Sequence, residues 1–456
     1  MENFSGKMML EKYRGNEDFD FLNLMAIDLA GNLRSVTMPR RYVTDDFYKR
    51  GIGFDASNYG YAKVTDSDMI IVPDRETAFI EARDGYRILH TMGDVFLSDG
   101  SLFDQYPRNV VRHTRDFLRR HDIADDLYAL VELEYYAFES VEYGSDGTSA
   151  FYSVGSTEGL GDGYDTEPRF EAHAGYHRFP PEDRYMDFRN QTVELMERIG
   201  IPVKYHHHEV AASQLEIELD FMDSLKAADG VCLAKWIIRS VADRMGLKVT
   251  FMPKPIYRMP GNGMHVHQYL EKNGKSIFLG DELYGLSPAA LSYTAGLLEH
   301  SLTGSLLAFT NPGTNSYRRL IPGFEAPISA TFAKASRNAA IRIPGYLQKD
   351  EVRLEYRTGD ASANTHYMLS AMALAGCDGI LRNADPVAKG FNSQDIDHSK
   401  IFPLDLDSVL DGLAADREYL KEVFPDTLID LWIKKKRAEA DYVYNAPTPQ
   451  EYELYF

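Results

Sequence analysis

The sequence predicts an α+β fold in which a small amino-terminal domain, residues 1–106, precedes a larger domain, residues 107–456. Three observations lead to this prediction. From Asp18 to Gln105, short apolar runs alternate with turn residues, which is typical of strands in a small domain. Tyr106-Pro107-Arg108 then introduces an amphipathic helix over Val110–Arg120, and we place the domain boundary there. Downstream, helical patterns alternate with strands that carry ionisable residues at every second position.

Within this framework the local patterns predict individual elements in order. Residues 21–28 and 33–37 form two strands of a hairpin, because Gly31-Asn32 between them is a strong turn signal. Two long helices follow, over residues 181–199 and 221–245, each ended by a glycine.

Composition restricts the class of protein. The chain has 456 residues, of which 44% are hydrophobic and 26% charged, and no run approaches the roughly 18 apolar residues that span a membrane. Met1–Phe4 lacks the start of a signal peptide, so we expect a cytoplasmic protein. The 49 basic and 69 acidic residues give a net charge of −20, which disfavours nucleic acid and anionic membranes as partners. Cys232 and Cys377 lie in apolar stretches and are predicted to be buried, reduced thiols.

Two further segments have simple interpretations. The basic run Lys434–Arg437 falls in a helical pattern beside Trp432, which predicts a solvated helix face. The glycine-rich segment Gly155–Asp165 predicts a mobile loop.

Ionisable side chains alternate with apolar ones in three short segments. They are Glu132 and Glu134, then His265 and His267, then Arg353, Glu355 and Arg357. Because a strand sends alternate side chains to opposite faces, each set shares one face. An amphipathic strand with a wet face explains any one segment alone. Carboxylates, imidazoles and guanidinium groups together favour a divalent cation beside an anionic substrate.

The segment His206–Glu216 adds two carboxylates, Glu209 and Glu216, which we expect to converge with Glu134. Three consecutive histidines cannot all aim at one ion from a strand, so we interpret them as surface or packing residues. An oxygen-rich site with one imidazole suits Mg²⁺ or Mn²⁺ better than structural zinc. Two such ions would suit phosphoryl transfer from ATP.

Arginines gather in the same part of the chain: Arg318, Arg319, Arg337, Arg342, Arg353 and Arg357. Surface salt bridges explain any single one. Several stand in tight segments with Pro and Gly, which favours the fixed guanidinium groups that carboxylate and phosphate recognition requires. The sequence contains neither a phosphate-binding P-loop nor a dinucleotide fingerprint after a strand. Nucleotide binding is therefore expected to depend on metals and arginines.

Several longer motifs follow one another in a characteristic order. They are Gly53-Phe54-Asp55-Ala56-Ser57, Glu132-Leu133-Glu134, His208-Glu209-Val210-Ala211, Met252-Pro253-Lys254-Pro255, Gly261-Asn262-Gly263-Met264-His265-Val266-His267, Asn311-Pro312 through Asn315-Ser316-Tyr317, Pro322-Gly323-Phe324-Glu325-Ala326-Pro327 and Glu355-Tyr356-Arg357. Each is weak alone. Together they make the chain resemble a type I glutamine synthetase over nearly its whole length. The resemblance implies a small β-grasp-like domain and a large catalytic domain on a curved antiparallel sheet, assembled as a dodecamer of two hexameric rings.

The resemblance also implies the reaction. Glutamate would attack the terminal phosphorus of ATP to give γ-glutamyl phosphate, and ammonia would then displace phosphate to give glutamine. One metal would be held by Glu134, Glu209 and Glu216. The second metal would be held by Glu132, His265 and Glu355.

The remaining roles come from the same resemblance. Arg319 and Arg357, with Gly261, would bind the substrate, while Arg337, Arg342 and Arg353 would neutralise phosphates, with His267 near the nucleotide. Glu325 would close over the intermediate and take a proton from ammonium. Asp55, reaching in from a neighbouring subunit, would attract and deprotonate ammonium beside Tyr176.

Three departures from the family pattern concern the substrate. Asn58 replaces the second serine of Asp-Gly-Ser-Ser, Pro260 replaces the asparagine before Gly261, and Tyr269 replaces a serine near the nucleotide pocket. Pro260 removes an N–H and an amide side chain, and Arg258 nearby adds charge. The acceptor is thus ammonia or, as the alternative, a larger amine such as a polyamine or ethanolamine.

Other interpretations explain less. Retention of the cation-directed residues favours ammonium; these are Asp55, Tyr176, Glu209 and Glu325. A non-catalytic relative would have lost metal ligands, yet all six are present. A metal-dependent hydrolase would explain the glutamates but not the arginines.

Overall fold

The small domain is a mixed sheet with a short helix in the computed structural model, which describes residues 8–15, 17–83, 85–160, 170, 173–348 and 351–456. Its elements are β1 (Met9–Lys12), β2 (Phe21–Ile27), β3 (Leu33–Pro39), α1 (Asp45–Arg50), β4 (Ile52–Asp55), β5 (Asp68–Pro73), β6 (Phe79–Arg83) and β7 (Tyr86–Leu97). The strands are ordered β1-β6-β7-β2-β3, with β5 paired to β7 and β4 to β5. The predicted hairpin is confirmed, because β2 and β3 pair antiparallel with Ile27 opposite Leu33.

The large domain is built on a second sheet. Its strands are β8 (Asp126–Phe138), β11 (Val203–His208), β12 (Gln214–Leu219), β13 (Met222–Asp223), β14 (Lys248–Thr250), β15 (Val266–Lys272), β16 (Lys275–Ser276), β17 (Phe332–Lys334), β18 (Ile341–Ile343) and β19 (Leu354–Tyr356). The main path is ordered β11-β12-β8-β15-β19-β18-β17, antiparallel except for β17 and β18. In addition, β13 and β14 pair with β8, and β16 pairs with β15. A separate hairpin joins β9 (Ser140–Ser145) to β10 (Ala150–Gly155). The long strand β8 therefore lies between the strands that carry the other predicted site residues.

Helices cover this sheet and extend to the carboxyl end. They are α2 (Pro107–Arg120), α3 (Met186–Ile199), α4 (Ser224–Arg244), α5 (Pro288–Leu302), α6 (Leu307–Thr310), α7 (Ser316–Arg319), α8 (Thr365–Leu381), α9 (Leu406–Ala415), α10 (Asp426–Tyr444) and α11 (Pro449–Tyr455). None of the described helices combines the length and apolar character needed to cross a membrane.

Two helices begin later than their sequence patterns predict. α3 begins at Met186 rather than at residue 181, because Asp183 is held outside it by a buried ion pair with Arg189. α4 begins at Ser224 rather than at residue 221, because β13 first pairs with β8 and Asp223 then caps the helix. Only the start of α4 depends on long-range pairing, which no local pattern reveals.

A buried arginine ties the two domains together. Arg108, at the start of α2, donates to Asp74 at 2.7 Å and Asp94 at 2.5 Å in the small domain, and to Asp229 on α4 at 3.1 Å. Removing one partner of such a buried set leaves an uncompensated charge. The contact between the two domains is therefore electrostatic as well as apolar. The domain division after residue 106 stays a prediction.

Three minor predictions have different outcomes. Cys232 and Cys377 are buried free thiols, as predicted. The solvated face predicted for the basic run is wrong for Lys436, which is buried over the Trp432 ring and pairs with Glu439 at 2.8 Å. The loop predicted over residues 155–165 lies partly outside the described residues, because the described segment ends at Leu160.

Candidate active site

Acidic side chains gather on one face of the large sheet because neighbouring strands place them there in register. The antiparallel pairing of β8 and β12 sets Glu216 opposite Glu134, and Glu218 opposite Glu132. Directly opposed like charges destabilise a sheet, so this arrangement needs a compensating cation. The face is therefore suited to divalent metal ions.

Glu132 joins two imidazoles at the centre of this face. Its Oε2 lies 2.7 Å from His265 Nδ1, and its Oε1 lies 2.9 Å from His267 Nε2. Burial raises the pKa of Glu132, but the hydrogen bonds from the two histidines outweigh burial and hold the pKa well below its usual value. Glu132 is thus an ionised carboxylate.

Glu355 lies one strand further on, opposite His267, and its side chain is only 1% exposed. Arg357 Nη1 donates to its Oε1 and Arg342 Nη1 to its Oε2, each at 2.5 Å. Burial raises the pKa of Glu355, but Arg357, His267 and Arg342 together lower it to about 2. The Nε atoms of both arginines are buried without a hydrogen-bond partner among the described residues.

A second acidic group surrounds His207. Its Nδ1 lies 3.7 Å from Glu209 Oε1, and its Nε2 lies 3.5 Å from Glu216 Oε2. Burial and the charge of Glu134 raise the pKa of Glu209 to about 7. Burial and three neighbouring carboxylates raise the pKa of Glu216 well above its usual value. These carboxylates are crowded in a way that a divalent cation would relieve.

The predicted ligand sets stay predictions, and the structure offers an overlapping combination of ligand atoms. Glu132, Glu355 and His267 offer ligand atoms within 4.8 Å of one another, whereas the sequence analysis placed His265 in that set. His265 is nevertheless adjacent, with its Nε2 3.8 Å from Glu134 Oε1. Glu134 Oε2 accepts a hydrogen bond from Gly263 N at 2.7 Å, which fixes its position. The oxygen-rich donor sets with imidazole fit Mg²⁺ or Mn²⁺.

Sequence reasoning missed His207 and Glu218. His207 stands two residues before Glu209, so strand alternation places both on one face, and it lies opposite Glu216. The interpretation of all three histidines as surface or packing residues stays a prediction for His207, which packs against the Tyr176 and His177 rings and lies near Glu209 and Glu216. It holds for His208, which is buried with Nε2 2.9 Å from Glu158 Oε2. Glu218 follows Glu216 by the same alternation, and Lys204 Nζ donates to it at 2.6 Å.

Arg319 is packed against a tight glycine segment. Its guanidinium donates to the carbonyls of Thr358 at 2.7 Å, Gly359 at 3.2 Å and Arg357 at 3.1 Å. A Cβ on Gly261 would lie 2.8 Å from Arg319 Cγ, so only glycine fits there. Arg319 therefore fixes the backbone that carries Arg357.

The expected nucleotide end combines an arginine with aromatic rings. Arg353 Nε donates to His267 Nδ1 at 3.2 Å, and its guanidinium lies 5.6 Å from the Phe221 ring centre. Phe221 contacts Tyr269, which stacks on Tyr128 with ring centres 5.4 Å apart. The departure at Tyr269 thus extends an aromatic surface beside the predicted phosphate-binding arginine.

Three predicted residues lie at the exposed rim. Arg337 Nη1 is 4.0 Å from Glu325 Oε2, and Glu325 has a φ of +57°, a conformation uncommon outside glycine. The Tyr176 ring centre is 5.2 Å from that of His207. The rim therefore overhangs the acidic group around His207.

Asp55 lies in the small domain and caps its own turn. It accepts hydrogen bonds from Ser57 N at 2.9 Å and from Asn58 Nδ2 at 2.7 Å, and its side chain is exposed. Hydrogen bonds from Ser57 and Ser67 lower its pKa. Asp55 is thus an ionised carboxylate available to a neighbouring molecule, and Asn58 supports it.

Metal binding is expected to stabilise the fold measurably. At about 100 times the dissociation constant, Mg²⁺ or Mn²⁺ should add about 2.7 kcal/mol to the free energy of unfolding. Glu216→Gln should raise the melting temperature of the metal-free protein at neutral pH, because burial and crowding raise the pKa of Glu216 and this costs stability above the pKa of the unfolded chain. It should also remove most of the metal-dependent rise. Calorimetry with metal or with EDTA measures both effects. Glu271→Gln, on β15 outside the acidic groups, is the control. An undiminished metal-dependent rise in Glu216→Gln would contradict the assignment.

Comparison with known proteins agrees with this geometry. The family profile "Glutamine synthetase, catalytic domain" matches residues 104–455, and "Glutamine synthetase, beta-Grasp domain" matches residues 18–98. Glutamine synthetase of Frankia alni is 37% identical over 470 residues, covering 98% of each chain. That of Escherichia coli strain K12 is 36% identical, covering 96% of each chain.

Solved structures agree as well. The Plasmodium falciparum glutamine synthetase superposes with a TM-score of 0.88 at 27% identity, covering 98% of this chain and 97% of that one. A GmaS/ADP complex superposes with a TM-score of 0.79 at 28% identity, covering 96% of each. The predicted fold, with its β-grasp domain and large sheet domain, is confirmed. With sequence, fold and acidic sheet face in agreement, this chain belongs to the glutamine synthetase family.

Proposed function

We propose that the protein joins ammonia to glutamate at the expense of ATP, through γ-glutamyl phosphate, to give glutamine. The observation that supports this most strongly is the position of Arg342 and Arg357. Both grip the buried Glu355 beside the carboxylate and imidazole groups. A substrate that carries a carboxylate at each end, one of which receives the terminal phosphoryl group of ATP while ADP leaves, matches these arginines.

Two divalent ions are proposed on the acidic face. One would be held by Glu134, Glu209 and Glu216 with His207 nearby. The other would be held by Glu132 and Glu355 with His265 or His267. Bound Mg²⁺ or Mn²⁺ would neutralise phosphate charge during phosphoryl transfer. Calorimetry with Mg²⁺ and with Mn²⁺ measures which of the two metals stabilises the protein more.

The remaining residues orient substrates and move protons. Arg357, with Arg319 and Gly261 behind it, would hold the α-carboxylate of glutamate, and Arg337, Arg342 and Arg353 would face the phosphates. Glu325 would accept a proton from ammonium at the rim. Asp55 of a neighbouring subunit, with Tyr176, would attract the ammonium ion.

The environments of Arg258 and Pro260 support ammonia as the acceptor. The Arg258 side chain is exposed and stacks on Tyr257, with its guanidinium 5.1 Å from the ring centre. The Pro260 carbonyl accepts a hydrogen bond from Tyr136 OH at 2.7 Å, so the proline is part of a fixed turn. Arg258 adds charge rather than apolar surface, and the Pro260 backbone is held by Tyr136. This favours ammonia over polyamines and ethanolamine.

Acceptor choice is tested by ATP-dependent phosphate release with glutamate and Mg²⁺. We expect release with ammonium, accompanied by glutamine, at a rate at least about 100-fold above that with putrescine, ethanolamine or no amine, since a larger amine leaves ammonium-directed groups unpaired. Equal or faster release with putrescine or ethanolamine would assign the alternative activity. No release with any amine would contradict catalysis altogether.

Assembly and location complete the proposal. A dodecamer of two hexameric rings, in the cytoplasm, would bring Asp55 of one subunit to the acidic face of the next. The exposed position of Asp55 in its own chain supports such a shared site.

A further inference from the structure

A cavity of about 690 Å³ lies between the two domains, apart from the acidic face. Its walls are the turn at residues 30–33, the end of β6, the middle of α4, residues 249–253 and residues 361–363. Such clefts between domains are common ligand sites.

Two cations in the middle of α4, Lys235 and Arg239, face this cavity, whose lining also includes Asp243 and Arg244 at the end of the helix and Arg83 on β6. Lys235 and Arg239 are one helical turn apart and therefore share a side of the helix. Lys235 is partly buried, and its Nζ donates to the Ala361 carbonyl at 2.7 Å. Arg239 stands at the exposed mouth, with its guanidinium 5.0 Å from the centre of the Phe251 ring. Neither Lys235 nor Arg239 forms an ion pair within the described part of the chain.

The lack of a carboxylate ion-pair partner at these two cations, among the described residues, contrasts with the buried Arg108. Acidic residues outnumber basic ones by 69 to 49, and the buried Arg108 has three carboxylate partners. Burial lowers the pKa of Lys235 to about 8, and the nearby charge of Arg239 adds to the lowering. An added carboxylate or phosphate would pair with both cations and offset this burial.

The opposite wall limits what else the ligand carries. Glu81 on β6 lines it, with Oε2 held 3.0 Å from His90 Nε2. Its buried Oε1 has no hydrogen-bond partner among the described residues, although Arg83 Nη1 lies 3.8 Å away. A hydroxyl or ammonium at the far end of the ligand would be attracted to this carboxylate. A second carboxylate there would face Glu81 and would have to pair with Arg83 or Arg244, which line the same wall and already act on Glu81.

We propose that this cavity is a second, non-catalytic binding site for a small acid, whose carboxylate or phosphate is held by Lys235 and Arg239 and whose far end donates a hydrogen bond to Glu81. The site shares a wall with the active site. Lys235 holds the Ala361 carbonyl, while Arg319 holds the Thr358 and Gly359 carbonyls of the same segment. A ligand bound in this cavity therefore acts on the backbone segment that positions Arg357.

Direct binding tests the proposal without relying on the proposed function. The full-length protein is first saturated with glutamate, Mg²⁺ and a non-hydrolysable ATP analogue, so that the predicted active site is filled. Glycerol 3-phosphate, glycerate and succinate are then titrated while tryptophan fluorescence is followed. Trp236 lines the cavity, and the only other tryptophan, Trp432, lies outside it. Trp236→Phe identifies the responding residue.

We expect glycerol 3-phosphate, glycerate or both to bind once per chain, and succinate at least about tenfold more weakly. A response to glycerol 3-phosphate alone identifies phosphate as the preferred group. A response to glycerate alone identifies carboxylate. Lys235→Met/Arg239→Gln should weaken binding by at least about tenfold, whereas Lys226→Met should not. Lys226 is on the same helix, pairs with Asp223 at 2.9 Å and lies outside the cavity.

Equal binding by wild type and the double variant would overturn the proposal, as would no binding of either hydroxylated acid at about 10 mM. Preference for succinate would overturn the role of Glu81. If the double variant does not fold, Arg239→Gln alone is decisive, because this side chain is exposed at the mouth. It should weaken binding by at least about threefold without lowering the melting temperature.

Discussion

Replacing Glu355 by glutamine is expected to reduce glutamine formation by about 10³-fold or more. The substitution preserves size but removes the charge that Arg342 and Arg357 share. It also turns an amide N–H₂ towards one of these guanidinium groups. Two buried cations then lose their common partner, and the site loses a proposed metal ligand. Breaking a buried pair in this way typically costs about 3–5 kcal/mol of the free energy of unfolding.

Measurements of turnover and of urea unfolding separate the loss of activity from the loss of stability. Turnover of wild type and of Glu355→Gln is compared under conditions in which both are fully folded. Glu351→Gln, four residues earlier and exposed, should leave turnover unchanged. The double variant Glu355→Gln/Arg342→Gln should recover part of the lost stability, because it removes one uncompensated charge, but should recover no activity. Turnover of Glu355→Gln within tenfold of wild type would mean that this carboxylate organises neither arginines nor metal.

Replacing Asp55 should abolish the use of ammonium while leaving nucleotide binding intact. We expect ammonium-dependent turnover to fall by about 10²–10⁴-fold, the range typical of a lost general base. Asp55→Asn is the informative variant, since asparagine still caps the turn through Ser57 N but carries no charge. Asp55→Ala loses both functions and should melt at a slightly lower temperature. Unchanged turnover in Asp55→Asn would exclude the assigned role.

A mixed assembly tests whether Asp55 acts in a neighbouring subunit. Asp55→Asn and Glu355→Gln chains, each inactive alone, are co-expressed with different tags and purified through both. Random mixing in equal amounts should restore about a quarter of the sites, because each site needs one intact half from each of two chains. Purified hetero-oligomers without activity would show that Asp55 does not complete a neighbouring site. A tagged mixture that never co-purifies would contradict the proposed ring assembly.

Periodicity predicted much of the site. Alternation in Glu132-Leu133-Glu134 and in His265-Val266-His267 indicated which face each side chain occupies, and the structure places them on a common face. The ordered motifs predicted the family and the fold, which the comparisons confirm. Individual catalytic and metal roles stay predictions.

By itself, the sequence determined which side chains face together, which thiols are buried and which family the chain belongs to, because these follow from local spacing and motif order. Tertiary structure alone decided which residues stand opposite one another. Strand register sets His207 against Glu216, a β13–β8 pairing delays α4, and packing over Trp432 buries Lys436. Alternation fixes a face but not a register, and the unpaired cations between the domains become visible only when distant segments meet.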